Sequence, residues 1–169
     1  VTALLVALLL AARPLACPPG SVPAGQPPPF GNAEWCEAPD ASGVKKRQGP
    51  ARDFYEADLI HVESTWRDGR LDGPWVQFHR DGRKAAEGRY RAGERHGPWI
   101  FWFEGGQVEE EVGFDMGRRH GRFVQWWRGG KKRTEGGFCF GLQCGRWTTW
   151  NEDGSELGTI VYEQIRARP

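Results

Sequence analysis

A strict 24-residue period governs the chain from Gly49 to Tyr162. Glycine recurs at Gly49, Gly73, Gly97, Gly121 and Gly145. Five residues after each stands a large aromatic (Phe54, Phe78, Trp102, Trp126, Trp150), and seventeen residues after each stands another (Trp66, Tyr90, Phe114, Phe138, Tyr162). Two residues in come Trp75, Trp99, Phe123 and Trp147, with Ala51 the exception. Nine residues in come Gly82, Gly106, Gly130 and Gly154, with Asp58 the exception. Glu63, Glu87, Glu111 and Glu135 share a column, as do Gly69, Gly93, Gly117 and Gly141. No insertion breaks the register across five copies. Such self-similarity marks a repeat architecture in which one small unit stacks on the next.

The glycines alternate at gaps of 13 and 11 residues, which leaves room for short strands and little else. Asp81-Gly82, Gly105-Gly106, Gly129-Gly130 and Asp153-Gly154 suit tight hairpins that need positive φ. Between turns the residues are aromatic or β-branched, as in Trp99-Ile100-Phe101-Trp102-Phe103. The expectation is an all-β fold: an elongated single antiparallel sheet of stacked β-hairpin repeats. Ten strands at ~4.8 Å spacing would span about 48 Å. The end copies carry the departures expected of caps, Ala51 and Asp58 in the first and Thr159 and Ile165 in the last.

Ahead of the repeat, residues 3–12 (ALLVALLLAA) form an apolar run too short to cross a bilayer of ~30 Å. With Pro14, Pro18 and Pro19 behind it, residues 1–16 fit a secretory signal peptide. The segment Pro14-Leu15-Ala16-Cys17 also fits, in part, the site at which bacterial lipoproteins are cut and lipidated. Residues 17–48 form a Pro/Gly-rich linker or N-terminal strap of irregular or polyproline-like backbone, and residues 49–165 the five-copy repeat. Four cysteines and an export signal favour two disulfides between near neighbours, Cys17–Cys36 and Cys139–Cys144. The expected location is the periplasm or outer envelope, either soluble or lipid-anchored through Cys17.

The composite pattern G-x-W-x-x-W-x-x-x-G-x-x-x-x-E-x-x-Y-x-x-G-x-x-x-G resembles the MORN repeat family. It is most similar to the 24-residue bacterial variant in proteins labelled as YwqK-like antitoxins. The resemblance implies a twisted β-ribbon used for binding or scaffolding, with no shared catalytic residues. The antitoxin label implies a rival role, direct neutralisation of a toxic protein in the cytoplasm.

Chemistry is sparse. His96 and His120 share a column, but equivalent positions lie two strands, ~9.6 Å, apart, and a zinc ion needs its ligands far closer. The glutamate column could suggest paired carboxylates. Yet a residue present in every copy is what packing produces, whereas acid and base need unlike environments. No nucleophile elbow or phosphate loop occurs. The chain is therefore expected to be non-enzymatic, with no metal, no cofactor and no small-molecule substrate. The net charge of +1 gives no field for nucleic acid. A local basic stripe (Arg118, Arg119, Arg122, Lys131, Lys132, Arg133) is a candidate anion or membrane-surface site. Its acidic neighbours Glu104, Glu109, Glu110, Glu111 and Asp115 make cross-strand ion pairing the simpler expectation. A protein partner would meet the aromatic rows, with Trp75, Trp99, Trp102, Trp126, Trp127 and Trp147 as candidates. Trp127 stands out because it falls outside the shared aromatic columns.

Overall fold

The computed structural model describes residues 14–29, 31–56 and 59–163. The apolar run at 3–12 lies outside them, as do Asp58 and Ile165. The described chain forms one antiparallel sheet of twelve strands in sequence order, each paired only with its chain neighbours. The strands are β1 (Val22–Gln26), β2 (Ala33–Pro39), β3 (Lys45–Glu56), β4 (Leu59–Arg67), β5 (Arg70–Phe78), β6 (Lys84–Arg91), β7 (Glu94–Trp102), β8 (Val108–Asp115), β9 (Arg118–Trp126), β10 (Lys132–Cys139), β11 (Leu142–Trp150) and β12 (Glu156–Tyr162). The ten strands expected from the repeat are β3 to β12. The other two come from the Pro/Gly-rich segment, expected to be irregular. There Val22–Gln26 pairs with Ala33–Glu37, and β2 in turn pairs with β3. Pro23 is tolerated because β1 is an edge strand, where one backbone N–H need not enter a ladder.

Two turn types alternate. The two-residue hairpins are Asp68-Gly69, Ala92-Gly93, Met116-Gly117 and Phe140-Gly141, with φ positive at both residues (50°/77°, 52°/94°, 44°/79° and 51°/93°). These are the type I′ turns that match strand twist. The Asp-Gly and Gly-Gly dipeptides expected to make tight hairpins instead sit in longer loops. In each, only the second residue, a glycine, has positive φ, and its N–H donates to the carbonyl three residues back, as Gly82 does to His79.

The leading glycines do not turn the chain at all. Each sits inside a strand, where two extra residues interrupt the ladder. Ser64 pairs with Trp75 while Trp66 pairs with Leu71, so Gly73 and Pro74 are surplus. The same shift recurs between β2 and β3, β6 and β7, β8 and β9, and β10 and β11. Bulges of this kind bend the strand and increase its twist.

The bulge also sets the core. On one face, here the aromatic face, each residue two places after a leading glycine lies against a residue of the preceding strand. The pairs are Trp35 with Ala51, Ser64 with Trp75, and Val112 with Phe123. Trp99 and Trp147 lie flat over glycines: a Cβ on Gly88 would stand 2.3 Å from the Trp99 ring, and one on Gly136 2.2 Å from the Trp147 ring. Large therefore meets small at every copy. Ala51, the exception in its column, is where the neighbouring strand supplies the tryptophan. Trp99, Val112, Phe123, Phe138 and Trp147 form the buried core, with Trp75, Tyr90, Phe101, Phe114 and Tyr162 packed around it. Arg95 and Arg119 lie over these rings, Arg95 4.5 Å from the Trp99 centroid, and Arg47 lies over Trp35 and Trp66.

Candidate functional site: a repeated groove on the glutamate face

Strand alternation sends the remaining columns to the opposite face. There, one residue after each leading glycine, stand Pro50, Pro74, Pro98, Arg122 and Arg146. Three residues after it stand Arg52, Val76, Ile100, Val124 and Thr148, and the glutamate column runs between them. These columns enclose three successive hollows offset by one repeat. The first is lined by Pro50, Arg52, Glu63, Thr65, Pro74 and Val76. The second, of about 250 Å³, is lined by Pro74, Val76, Glu87, Arg89, Pro98 and Ile100. The third, of about 460 Å³, is lined by Pro98, Ile100, Glu111, Gly113 and Arg122.

The two ends of this row are closed differently. Leu15 enters the first hollow. It is carried there by the N-terminal strap, which Cys17 ties to Cys36 on β2. Pro18 of the strap lies over Gly49, where a Cβ would approach it to 2.6 Å. Beyond the third hollow arginine replaces proline. Arg122 reaches Glu135 at 3.0 Å and Glu111 at 3.8 Å, on either side of the fully buried Val124.

The glutamates are engaged in ion pairs along the row. Glu63 pairs with Arg52 at 3.3 Å, Glu87 with Lys84, and Glu135 with Lys132 and Arg122. Hydrogen bonds from Lys132 and then Arg122 hold the Glu135 carboxyl below its usual range. On the aromatic face Glu110 behaves oppositely. Burial raises it, although Arg119 lies 3.8 Å away.

The candidate tryptophans divide sharply. Trp99 is fully buried and Trp147 nearly so, with indole N–H groups donated to the carbonyls of Arg89 and Gly137. Neither has a surface to offer a partner, which corrects that expectation. Trp75 is half-buried in the same row, 5.3 Å from the Trp99 ring. Trp127 is structural too: its Nε1 donates to Trp150 O at 3.2 Å, one copy on. Tyr55 OH donates to Phe78 O, and His79 Nε2 contacts Trp102 O, at the same place in their copies. Trp127 therefore belongs to a column defined by role, a clasp between repeats, and not by residue type. Trp102 and Trp126 remain half-exposed on the glutamate face, Trp102 with Lys84 5.8 Å from its ring.

The basic stripe is largely engaged. Arg119 faces Glu110 and the Phe138 ring, and Arg122 bridges two glutamates. Lys131 donates to Asp153 O, Lys132 pairs with Glu135, and Arg133 lies 4.6 Å from the Trp127 ring centroid. Arg118 has no ion pair among the described residues. His96 Nδ1 is 3.4 Å from Asp115 Oδ1 but makes no well-formed hydrogen bond, and His120 packs on Phe140. Among the described residues no three His, Cys, Asp or Glu side chains come together as a metal site.

Both expected disulfides are present, Cys17–Cys36 and Cys139–Cys144, with Cα separations of 5.5 and 5.7 Å. The second straddles the Phe140-Gly141 hairpin. Such bonds persist in oxidising, extracytoplasmic settings. A thioether-linked lipid would need the Cys17 sulfur, which is already bonded to Cys36.

Fold and site together define a class: an open repeat sheet with a packed aromatic face and a grooved opposite face. Compared with known protein families, the chain matches no family model. It matches no curated protein either.

Proposed function

We propose that this is an exported, non-catalytic MORN-type repeat protein whose grooved face binds another protein or an envelope component. The hollows that recur at one per repeat on an otherwise open sheet carry this reading. A catalytic centre singles out one copy, whereas a binding surface can use the same contact several times. The aromatic face is occupied by its own packing, so contact with a partner falls to the proline, aliphatic and glutamate columns with Trp102 and Trp126 beside them. The two disulfides favour export over the rival role as a cytoplasmic antitoxin.

The test is the intact mass of the protein purified from its native cell, before and after reduction. The expected product begins at Cys17, carries no lipid, and gains four hydrogens on reduction. A chain that retains residues 1–16 with four free thiols sinks the exported reading.

A further inference from the structure

We propose that β12 pairs edge to edge with β12 of a second copy of this chain, antiparallel about a two-fold axis at Ile160, so that one sheet runs through both copies. The proposal goes beyond the groove reading and does not rest on it.

The repeat itself shows what is missing at this edge. On the aromatic face, the residue fifteen places after each leading glycine lies between two neighbours, one from its own copy and one from the next. Val112 stands between Trp99 and Phe123 and is 2% exposed. Gly88 lies between Trp75 and the Trp99 ring, and Gly136 between Phe123 and the Trp147 ring. Ile160 is the fifth member of this column. It has Trp147 on one side and no strand on the other among the described residues, and it is 60% exposed. Leu157 and Val161 of the same strand are exposed as well. A repeat array normally ends in a polar cap. This end does not.

The backbone of β12 is open too. Cys139 and Leu142 close the two-residue type I′ turn, so Cys139 and every second residue before it bond to β11, while those between bond to β9. One copy on, Gly158, Ile160 and Tyr162 bond to β11. Thr159 and Val161 therefore aim N–H and C=O off the sheet. What satisfies such groups in register is another strand. The two outer edges differ in this respect. β1 contains Pro23 and lies between Pro18-Pro19 and Pro27, the residues that blunt an edge. β12, Glu-Leu-Gly-Thr-Ile-Val-Tyr, has no proline, lysine or arginine.

The strand is its own complement. About an axis at Ile160, Thr159 of each copy exchanges ladder bonds with Val161 of the other. Ile160 then meets Ile160 of the second copy as a non-hydrogen-bonded pair, where side chains approach most closely. Each thus covers the side of the column that the next repeat covers elsewhere. The same centring places the two Glu163 carboxylates at opposite ends of the ladder, and like charges do not face each other. Pairing of this kind closes as a dimer, with the proline-bearing β1 edges outermost and both grooved faces on one side.

The experiment is sedimentation velocity of the full oxidised chain from micromolar to millimolar concentration, with backbone amide exchange at both ends of the series. A reversible dimer is expected. The Thr159 and Val161 amides should slow as it forms, while the Ile160 amide, bonded to β11, is slow throughout. Ile160→Lys should weaken dimerisation about tenfold or more, through lost apolar burial and apposed lysines. Because Ile160 is mostly exposed in the single chain, the far-UV circular dichroism of the variant should match the parent. A monomer at every concentration, or a dimer indifferent to Ile160→Lys, overturns the proposal. So does a ladder of ever larger species, which assigns the contact to β12 on β1. Protection of Thr159 and Val161 at every concentration overturns it as well, by assigning the edge to residues of the same chain. The exchange data on the parent decide the matter even where Ile160→Lys fails to fold. A monomeric result leaves the groove reading standing, so the two fail separately.

Discussion

Gly88→Ala adds one methyl group and is expected to cost about 2–3 kcal/mol. Gly88 is outside the positive-φ set, so alanine meets no backbone penalty there. The obstacle is Trp99: the new Cβ would stand 2.3 Å from ring carbons Cδ2 and Cε2 and 2.6 Å from Nε1. Carbon atoms pack at about 3.5 Å or more, so the indole must retreat by roughly 1.2 Å. Overpacking of this kind costs ~1–3 kcal/mol. The retreat also stretches the Trp99 Nε1–Arg89 O hydrogen bond, already 3.3 Å long. Its loss adds ~1 kcal/mol. Against this, alanine stiffens the unfolded chain by ~0.4–1 kcal/mol. Gly158→Ala is the control, since nothing lies within 4 Å of its Cβ position and its φ is also ordinary. It should gain the ~0.4–1 kcal/mol and lose nothing. Urea unfolding of the oxidised proteins, followed by far-UV circular dichroism, measures both. A double change, Gly88→Val with Trp99→Phe, transplants the Val112–Phe123 pairing and should lose less than the two single changes summed. If Gly88→Ala is as stable as the parent, the bulge–glycine–indole account of the core is wrong.

Two further outcomes follow from the turns and charges. Met116→Asn should raise stability by about 1 kcal/mol in the same urea assay, because methionine at φ 44° is disfavoured in a type I′ turn and asparagine is not. Glu110→Gln should stabilise the protein at pH 7, by less than about 1 kcal/mol at this partly solvated site. Burial raises the folded-state value above the unfolded one, so the penalty is absent below the unfolded value and complete above the folded value. The gain from glutamine should therefore vanish as the pH falls through the ordinary carboxylate range. A gain that persists in acid would place the effect in packing.

The columns that keep one residue type made the hairpins legible from sequence, down to the ten strands of the repeat. What escaped were columns kept by role. Ser64, Gly88, Val112 and Gly136 look unrelated until each is set against the ring across from it. What persists is the combined volume of the pair. The I′ turns were misplaced because Asp and Gly dipeptides carry a visible turn signal, whereas Ala92, Met116 and Phe140 carry none. There, two-residue loop closure forces φ positive on whatever residue is present. Trp127 looked exceptional for the same reason: Tyr55, His79 and Trp127 share a hydrogen bond to the next copy, not a chemistry a reader would align. β1 and β2 were hidden in a proline-rich segment because strand content there depends on the edge that β3 offers, which no local pattern reports.

The bulge at the leading glycine recurs in all five copies, and its surplus residues close against the strand just before it. Duplicating or deleting 24 residues therefore lengthens or shortens the ribbon by one hairpin without creating a new kind of junction. A groove built this way is a ruler whose graduations are copies. Unequal crossing-over between repeats would change the length of what it measures before any point mutation changed what it recognises.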